Sequence, residues 1–339
     1  MTTFQEETYL PAEDRYSSMP YRPCGTSGLR LPAISLGFWH NFGDLSSMDT
    51  MRRICFTAFD HGITHFDLAN NYGPDEGAAE RNAGLILTRY FRGHRDELIV
   101  STKAGYGMWP GPYGDGGSRK YLLSSLDASL KRLNLDYVDI FYHHRPDPDT
   151  PLEETMGALN QAVTSGRALY AGLSNYDGPT LKKACAILDG LHCPFVICQN
   201  RYSILDRTVE RNGLKEAAAA TGKGVITYSP LAQGLLTDRY LNGVPDDSRI
   251  GRGGRFLKRS DLTPARLEIT RKLNDLARSR GQSLAQMSLA WLLRDRAVTS
   301  VLVGASRPSQ ILDDLGALEN LDFAGEELEE IDRLSAAWA

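Results

Sequence analysis

The sequence lacks the features that would place it in several large functional classes. No apolar run approaches the ~18 residues of a membrane-crossing helix. No Cys-x-x-Cys pair occurs, and the cysteines (Cys24, Cys55, Cys185, Cys193 and Cys198) are odd in number. That pattern argues against a disulfide framework or a zinc site, so no metal is expected, and it fits a reducing, cytoplasmic compartment. Positive charge is not in excess: 38 Lys and Arg stand against 42 Asp and Glu, a formal net charge of −4. A dedicated nucleic-acid binder normally carries a basic face, so no nucleic-acid partner is expected. The N-terminal segment Met1–Leu10 is polar and acidic, without the basic flank and apolar stretch of a secretory leader. The glycine-rich Gly-x-Gly-x-x-Gly phosphate turn is missing too. After the first expected barrel strand the chain reads Gly37-Phe38-Trp39-His40-Asn41-Phe42-Gly43. A nucleotide, if bound, is therefore not held in the Rossmann manner.

What is present is an alternation of short apolar runs with helical patterns. With 339 residues and 42% hydrophobic content, a large core can be buried. Residues 1–20 read as a tail and residues 21–339 as a single barrel domain. Tyr21–Leu31, with Gly25-Thr26-Ser27-Gly28 at its centre, reads as an N-terminal β-hairpin. Strands are expected at Ile34–Leu36, His65–Leu68, Leu98–Lys103, Val138–Tyr142, Ala168–Leu173, Phe195–Gln199, Val225–Tyr228 and Val298–Val303. Helices are expected at Met48–His61, Ala78–Phe91, Lys120–Leu133, Leu152–Ser165, Thr180–Leu188, Gly213–Thr221, Ala265–Arg280, Leu284–Leu293 and Ser309–Glu319. Eight strands with helical crossovers imply an α/β fold with a parallel sheet closed into a (β/α)8 TIM barrel, with a long loop after strand 7. A doubly wound open sheet is the competing architecture.

In a barrel, chemistry collects where strands end and βα loops begin. Those positions here are rich in polar side chains: Asp67 and Tyr72, Lys103, His143 and His144, Ser174 and Asn175, Gln199, Tyr228, and Ser306 with Arg307. Taken singly, each also suits a cap, a turn or a solvated charge. Their convergence on one face is harder to assign to structure alone.

Gly62-Ile63-Thr64-His65-Phe66-Asp67 followed by Tyr72-Gly73, together with Ser101-Thr102-Lys103, Tyr137–Phe141 leading to His144, and Gly172-Leu173-Ser174-Asn175, resembles the aldo-keto reductase family. The resemblance runs from about Tyr21 to Leu334. Asn70–Pro74, Met108–Gly114 and Ser229–Leu236 resemble the bacterial L-glyceraldehyde 3-phosphate reductases within it, and Arg145-Pro146-Asp147-Pro148 is shared with potassium channel β subunits. The resemblance implies reduction of a small aldehyde or ketone, of the glyceraldehyde 3-phosphate or methylglyoxal class, by NADPH. It also implies a homo-oligomer, a tetramer or larger. A redox-sensing regulatory subunit is the alternative. The channel subunits carry asparagine where this chain has His144, which favours the enzyme.

The resemblance assigns Tyr72 as proton donor. Hydride addition builds charge on a carbonyl oxygen, and a nearby acid relieves it. Phenol is a weak acid, pKa ~10, and a neighbouring ammonium, Lys103, held by Asp67, is expected to lower it. Adjacent strand residues face opposite ways, so at most one of His143 and His144 reaches the lumen. The family pattern favours His144, immediately before Arg145, for orienting the carbonyl.

Cofactor contacts follow. Ser174, Asn175 and Gln199 suit a carboxamide, and Tyr228 offers a stacking face. Ser229, Pro230, Leu231, Gln233 and Gly234 resemble the family's pyrophosphate belt, with Arg239 and Arg249 as basic members. Gly304, Ser306, Arg307 and Gln310 open a helix N-terminus suited to the 2′-phosphate of NADPH, with Asp314 nearer the adenine. Trp39 and Trp109 are candidate walls of the substrate pocket; Trp109, beside Pro110 and Gly111, equally suits stiffening of its loop. Arg249–Arg259 reads as a lid over an anionic cofactor or as a solvated loop.

Overall fold

The apolar runs expected as strands close into a parallel barrel. In the computed structural model, which describes residues 8–338 apart from 74, 247, 249, 252 and 254–256, the barrel strands are β3 (Ile34–Gly37), β4 (His65–Asp67), β5 (Ile99–Ala104), β6 (Val138–His143), β7 (Ala168–Ser174), β8 (Phe195–Arg201), β9 (Gly224–Tyr228) and β10 (Val298–Val303). They are hydrogen-bonded in the order β10-β3-β4-β5-β6-β7-β8-β9 and close on themselves. The doubly wound alternative is thereby excluded. The register sets Asp67 beside Ser101 and Lys103 beside Tyr142. That pairing decides which side chains can meet inside.

Each crossover is helical. α1 (Met48–Asp60), α2 (Ala78–Tyr90), α3 (Arg119–Leu133), α4 (Leu152–Thr164) and α5 (Gly178–Gly190) follow β3 to β7 in turn. α6 (Thr208–Arg211) and α7 (Leu214–Ala220) follow β8, α8 (Pro264–Ser279) and α9 (Leu284–Leu293) follow β9, and α10 (Pro308–Leu315) follows β10. Local capping explains several starts. Ser47, Ser118, Asp177, Thr263 and Ser283 each accept a first-turn amide through the side chain.

Two apolar layers result. A large one lies between strands and helices, with Phe59, Phe66, Phe91 and Trp291 among its fully buried members. A smaller one occupies part of the lumen and includes Ile140, Tyr142, Ile197 and Ile226. The N-terminal hairpin, β1 (Tyr21–Pro23) antiparallel to β2 (Arg30–Pro32), contributes Cys24 and Leu31 to that second layer. Gly172 is needed beside it: a Cβ there would lie 2.4 Å from the Tyr142 ring.

Two elements differ from the expectation. The stretch read as one helix, Ser309–Glu319, ends as α10 at Leu315 and tightens into a 3₁₀ turn over Gly316–Glu319. Beyond it an unanticipated helix, α11 (Gly325–Trp338), packs on α8. It buries Ile331 and Leu334, and Leu328 and Trp338 pack beside them, an apolar stripe at helical spacing that the sequence reading passed over. Ion pairs add to this packing, Arg280–Glu327 and Arg207–Asp332, both at 2.5 Å. Residues 8–19, in the segment read as a tail, lie against α1: the Tyr9 ring stacks on Phe56 at 3.8 Å and its hydroxyl donates to Asp60 at 2.7 Å.

Candidate active site

At the C-terminal mouth of the barrel lies a cavity of about 900 Å³, near the top of the ~300–1,000 Å³ range of small-molecule sites. Its floor carries Asp67, Tyr72, His144 and Gln199. Lys103, fully buried, stands behind them. Its ammonium donates to Asp67, to the Leu68 carbonyl at 2.7 Å and to the Tyr72 hydroxyl at 3.4 Å. Three protons meet three acceptors, which is how a buried ammonium is satisfied. Asp67 also accepts from Ser101 at 2.6 Å and from Gln199 at 3.0 Å.

Burial pushes the Tyr72 hydroxyl well above its ordinary pKa, and the Asp67 charge adds to the effect. Burial pushes the Lys103 ammonium down, opposed by Asp67. The expected lowering of the phenol is therefore reversed, because the loss of water and the nearby carboxylate outweigh the ammonium. Tyr72 thus carries its proton throughout the neutral range.

Of the two histidines, His144 lines the cavity. Its ring meets Tyr72 edge-on at 5.8 Å and Tyr106 at 4.6 Å. Burial, with Lys103 close by, holds His144 well below the usual imidazole range. His143 is turned away and bonds the Tyr176 hydroxyl through Nδ1 at 2.7 Å.

The remaining candidates divide. Trp39, Asn175, Tyr228, Ser229, Pro230, Leu231, Gln233, Gly234, Arg239, Gly304, Ser306, Arg307 and Gln310 line the cavity. Ser229 and Gln233 do so with φ of 54° and 61°, left-handed values that non-glycine residues rarely take and that gather at functional loops. The Asn175 amide is engaged inside the protein: its nitrogen donates to the His144 carbonyl and its oxygen accepts from Tyr228, at 2.9 and 2.8 Å. It positions the Tyr228 ring rather than pointing a free amide outward. Gln310 folds back and accepts from the Ser306 amide at 2.7 Å. Arg307 is the N-cap residue of α10, yet no side chain caps that helix.

Three candidates lie away from the cavity, and a fourth falls outside the described residues. Ser174 is buried beneath Asn175 and does not line the cavity. Asp314 is buried, and its neighbour Asp313 is the carboxylate at the cavity wall. Trp109 is half exposed, edge-on to Tyr121 at 5.9 Å, and away from the cavity. From the same loop Tyr106 is the residue that reaches it, its carbonyl accepting from Tyr121 at 2.5 Å. Arg249, and with it part of Arg249–Arg259, lies outside the described residues.

The sequence reading missed Tyr106, Arg201, Asn274 and Arg278, all at the cavity wall. Asn274 and Arg278 are four apart on α8 and so share a face. Asn274 is buried on α8 together with Ile269, Thr270, Leu273 and Ala277, and its side chain type alone did not mark it for the cavity.

A closed eight-stranded barrel with a buried Asp–Lys pair, a tyrosine and a histidine at its open mouth defines a barrel oxidoreductase of the kind the motifs resemble. Residues 33–336 match the sequence profile of the aldo/keto reductase family, and the chain belongs to that family. It is 56% identical over 328 residues to an L-glyceraldehyde 3-phosphate reductase of Escherichia coli O157:H7, covering 96% of this chain and 95% of the relative. The reductase of the same name from E. coli K12 is 55% identical over the same shares. A probable voltage-gated potassium channel subunit beta from Arabidopsis thaliana is 35% identical over 304 residues, 89% of this chain and 92% of that one. Among the described residues no helix is long and apolar enough to cross a membrane.

Proposed function

We propose that the protein is an NADPH-dependent reductase of small aldehydes, with glyceraldehyde 3-phosphate and methylglyoxal as the substrate class. The observation that carries the reading is the Tyr72 hydroxyl at the cavity floor, backed by the Lys103 ammonium and flanked by His144. The bound nicotinamide supplies the hydride. Tyr72 gives its proton to the carbonyl oxygen as charge develops there. The Lys103 ammonium, 3.4 Å from that hydroxyl, stabilises the tyrosinate left behind. Asp67 keeps Lys103 charged and in place. His144, neutral in its buried setting, donates a hydrogen bond that orients the carbonyl.

The residues fit the cofactor. The long cavity joins this floor to the uncapped start of α10. Amides and dipole there suit a phosphate, and Arg307 adds a guanidinium. Tyr228, fixed through Asn175, gives a stacking face. The Ser306 amide, now donating to Gln310, would be a further donor for a phosphate held there.

The test is steady-state loss of NADPH absorbance with glyceraldehyde 3-phosphate and methylglyoxal. Tyr72→Phe keeps the ring and removes the acid. Turnover is expected to fall at least ~10²-fold with NADPH binding retained; near wild-type turnover would overturn the assignment. The likeness to a channel β subunit supports a second reading, a cofactor-sensing subunit. Absence of steady turnover with every aldehyde tried, alongside tight NADPH binding, would favour it.

A further inference from the structure

Barrel lumens are ordinarily filled by branched apolar side chains. Here one layer below the floor is polar. His65 and Asp67 are two apart on β4, and Ser101 and Lys103 two apart on β5, so all four share the inward face. His65 is fully buried. Its Nε2 lies 3.0 Å from Ser101 Oγ and its Nδ1 3.0 Å from Ser35 Oγ. Ser35 in turn lies 2.6 Å from Ser300 Oγ on β10. Leucine or isoleucine would fill this volume without the desolvation that four buried polar groups incur.

The protons in this chain can be placed by counting. Asp67, as the carboxylate paired with Lys103, has none to give. Ser101 has one and donates it to Asp67 at 2.6 Å. Towards His65, Ser101 can then only accept, so His65 carries its proton on Nε2 and donates it there. Nδ1 is left as an acceptor, filled by the Ser35 hydroxyl, whose own oxygen accepts from Ser300. Every bond points toward the carboxylate except the step across the imidazole ring, which is fixed in one tautomer. Burial keeps that ring neutral, with a pKa pushed down to about 4.

We infer that His65 is a positioning residue of the active site: through Ser101 it fixes the rotation of the Asp67 carboxylate, and thereby the Lys103 ammonium beneath Tyr72. The inference rests on the proposed roles of Asp67, Lys103 and Tyr72. The geometry supplies the reason the relay acts on rate. Lys103 reaches the Tyr72 hydroxyl at 3.4 Å, the longest of its three contacts. A small turn of Asp67 shifts that distance, and electrostatic stabilisation of a developing tyrosinate falls as it lengthens. Ser35, His65, Ser101 and Ser300 do not line the cavity, so binding should be spared.

The experiment uses the full chain with NADPH and DL-glyceraldehyde. His65→Leu and Ser101→Ala are each expected to lower kcat roughly tenfold, the scale of one hydrogen bond to a charged group. KM and the NADPH dissociation constant should stay within about twofold. Because His65 acts through Ser101, the double variant should be no slower than the slower single. His65→Gln keeps a donor at the Nε2 position and should recover most of kcat. If His65→Leu folds poorly, Ser101→Ala and Ser35→Ala form the cycle instead. Losses that multiply in the double variant, weakened NADPH binding in step with kcat, or no recovery with Gln would each overturn the inference. Failure of the underlying reading is recognised separately, by Tyr72→Phe retaining activity.

Discussion

Asp67→Asn tests the electrostatics of the barrel floor most directly. The substitution keeps the shape and removes the charge facing Lys103, which is fully buried. Breaking a buried pair by removing one partner typically costs ~3–5 kcal/mol, because the other charge is stranded. A ceiling follows from the lysine itself. It can escape by losing its proton, and against an unfolded pKa of ~10.4 that costs ~4.6 kcal/mol at pH 7. With an unfolding entropy of ~2.1 cal/mol/K per residue, 339 residues turn a 3–5 kcal/mol loss into a Tm lower by ~4–7 °C. The pH dependence is the sharper test. Burial already pushes Lys103 down, and removing Asp67 pushes it further. Between the folded and unfolded pKa values the unfolded chain binds the extra proton, so stability rises with pH. The penalty should therefore shrink by ~1.4 kcal/mol per unit, to ~2 kcal/mol at pH 9. Urea denaturation of variant and wild type at pH 7 and pH 9 measures it. A penalty equal at both values would refute the stranded-ammonium account and leave a packing defect.

His144→Ala should lower kcat by ~10²-fold or more in the NADPH assay, whereas His143→Ala should chiefly lower Tm, since His143 bonds Tyr176 away from the cavity; the reverse ranking would exchange their roles. Arg307→Ala should weaken NADPH ~10–100-fold, the worth of one charge-assisted contact, with NADH nearly unchanged in fluorescence titrations; equal weakening of both would assign Arg307 to the fold. Asp314 is buried beside Asp313, and its pKa is pushed up to about 8. The folded chain holds that proton where the unfolded one has lost it, so stability falls as pH rises from ~4 to about 8. Asp314→Asn should accordingly stabilise the protein at pH 8–9 and change little near pH 4, as read by thermal melts.

Period and spacing in the sequence pointed to the barrel, and the closed strand order excluded the doubly wound sheet that the same alternation allowed. Eight apolar runs of strand length separated by helical patterns leave few arrangements, and β10 falls on the residues expected for it. The inward face of each strand was also legible, since residues two apart share a face. Asp67, Tyr72, Lys103 and His144 stood out by their place at strand ends and by the family resemblance, which chose His144 over His143, and the structure brings them to one floor. What required the tertiary structure is whatever depends on distant segments meeting. Ser35 and Ser300 touch across 265 residues of chain because β10 closes onto β3, and no local pattern carries that pairing. Tyr106 rather than Trp109 reaches the cavity because the path of the loop, pinned through Tyr121, decides which aromatic turns inward. Asn274 and Arg278 join the wall because α8 is folded back over it. The direction of the Tyr72 pKa was likewise out of reach. It depends on how completely water is excluded around the hydroxyl, a property of the closed barrel and not of any stretch of its sequence.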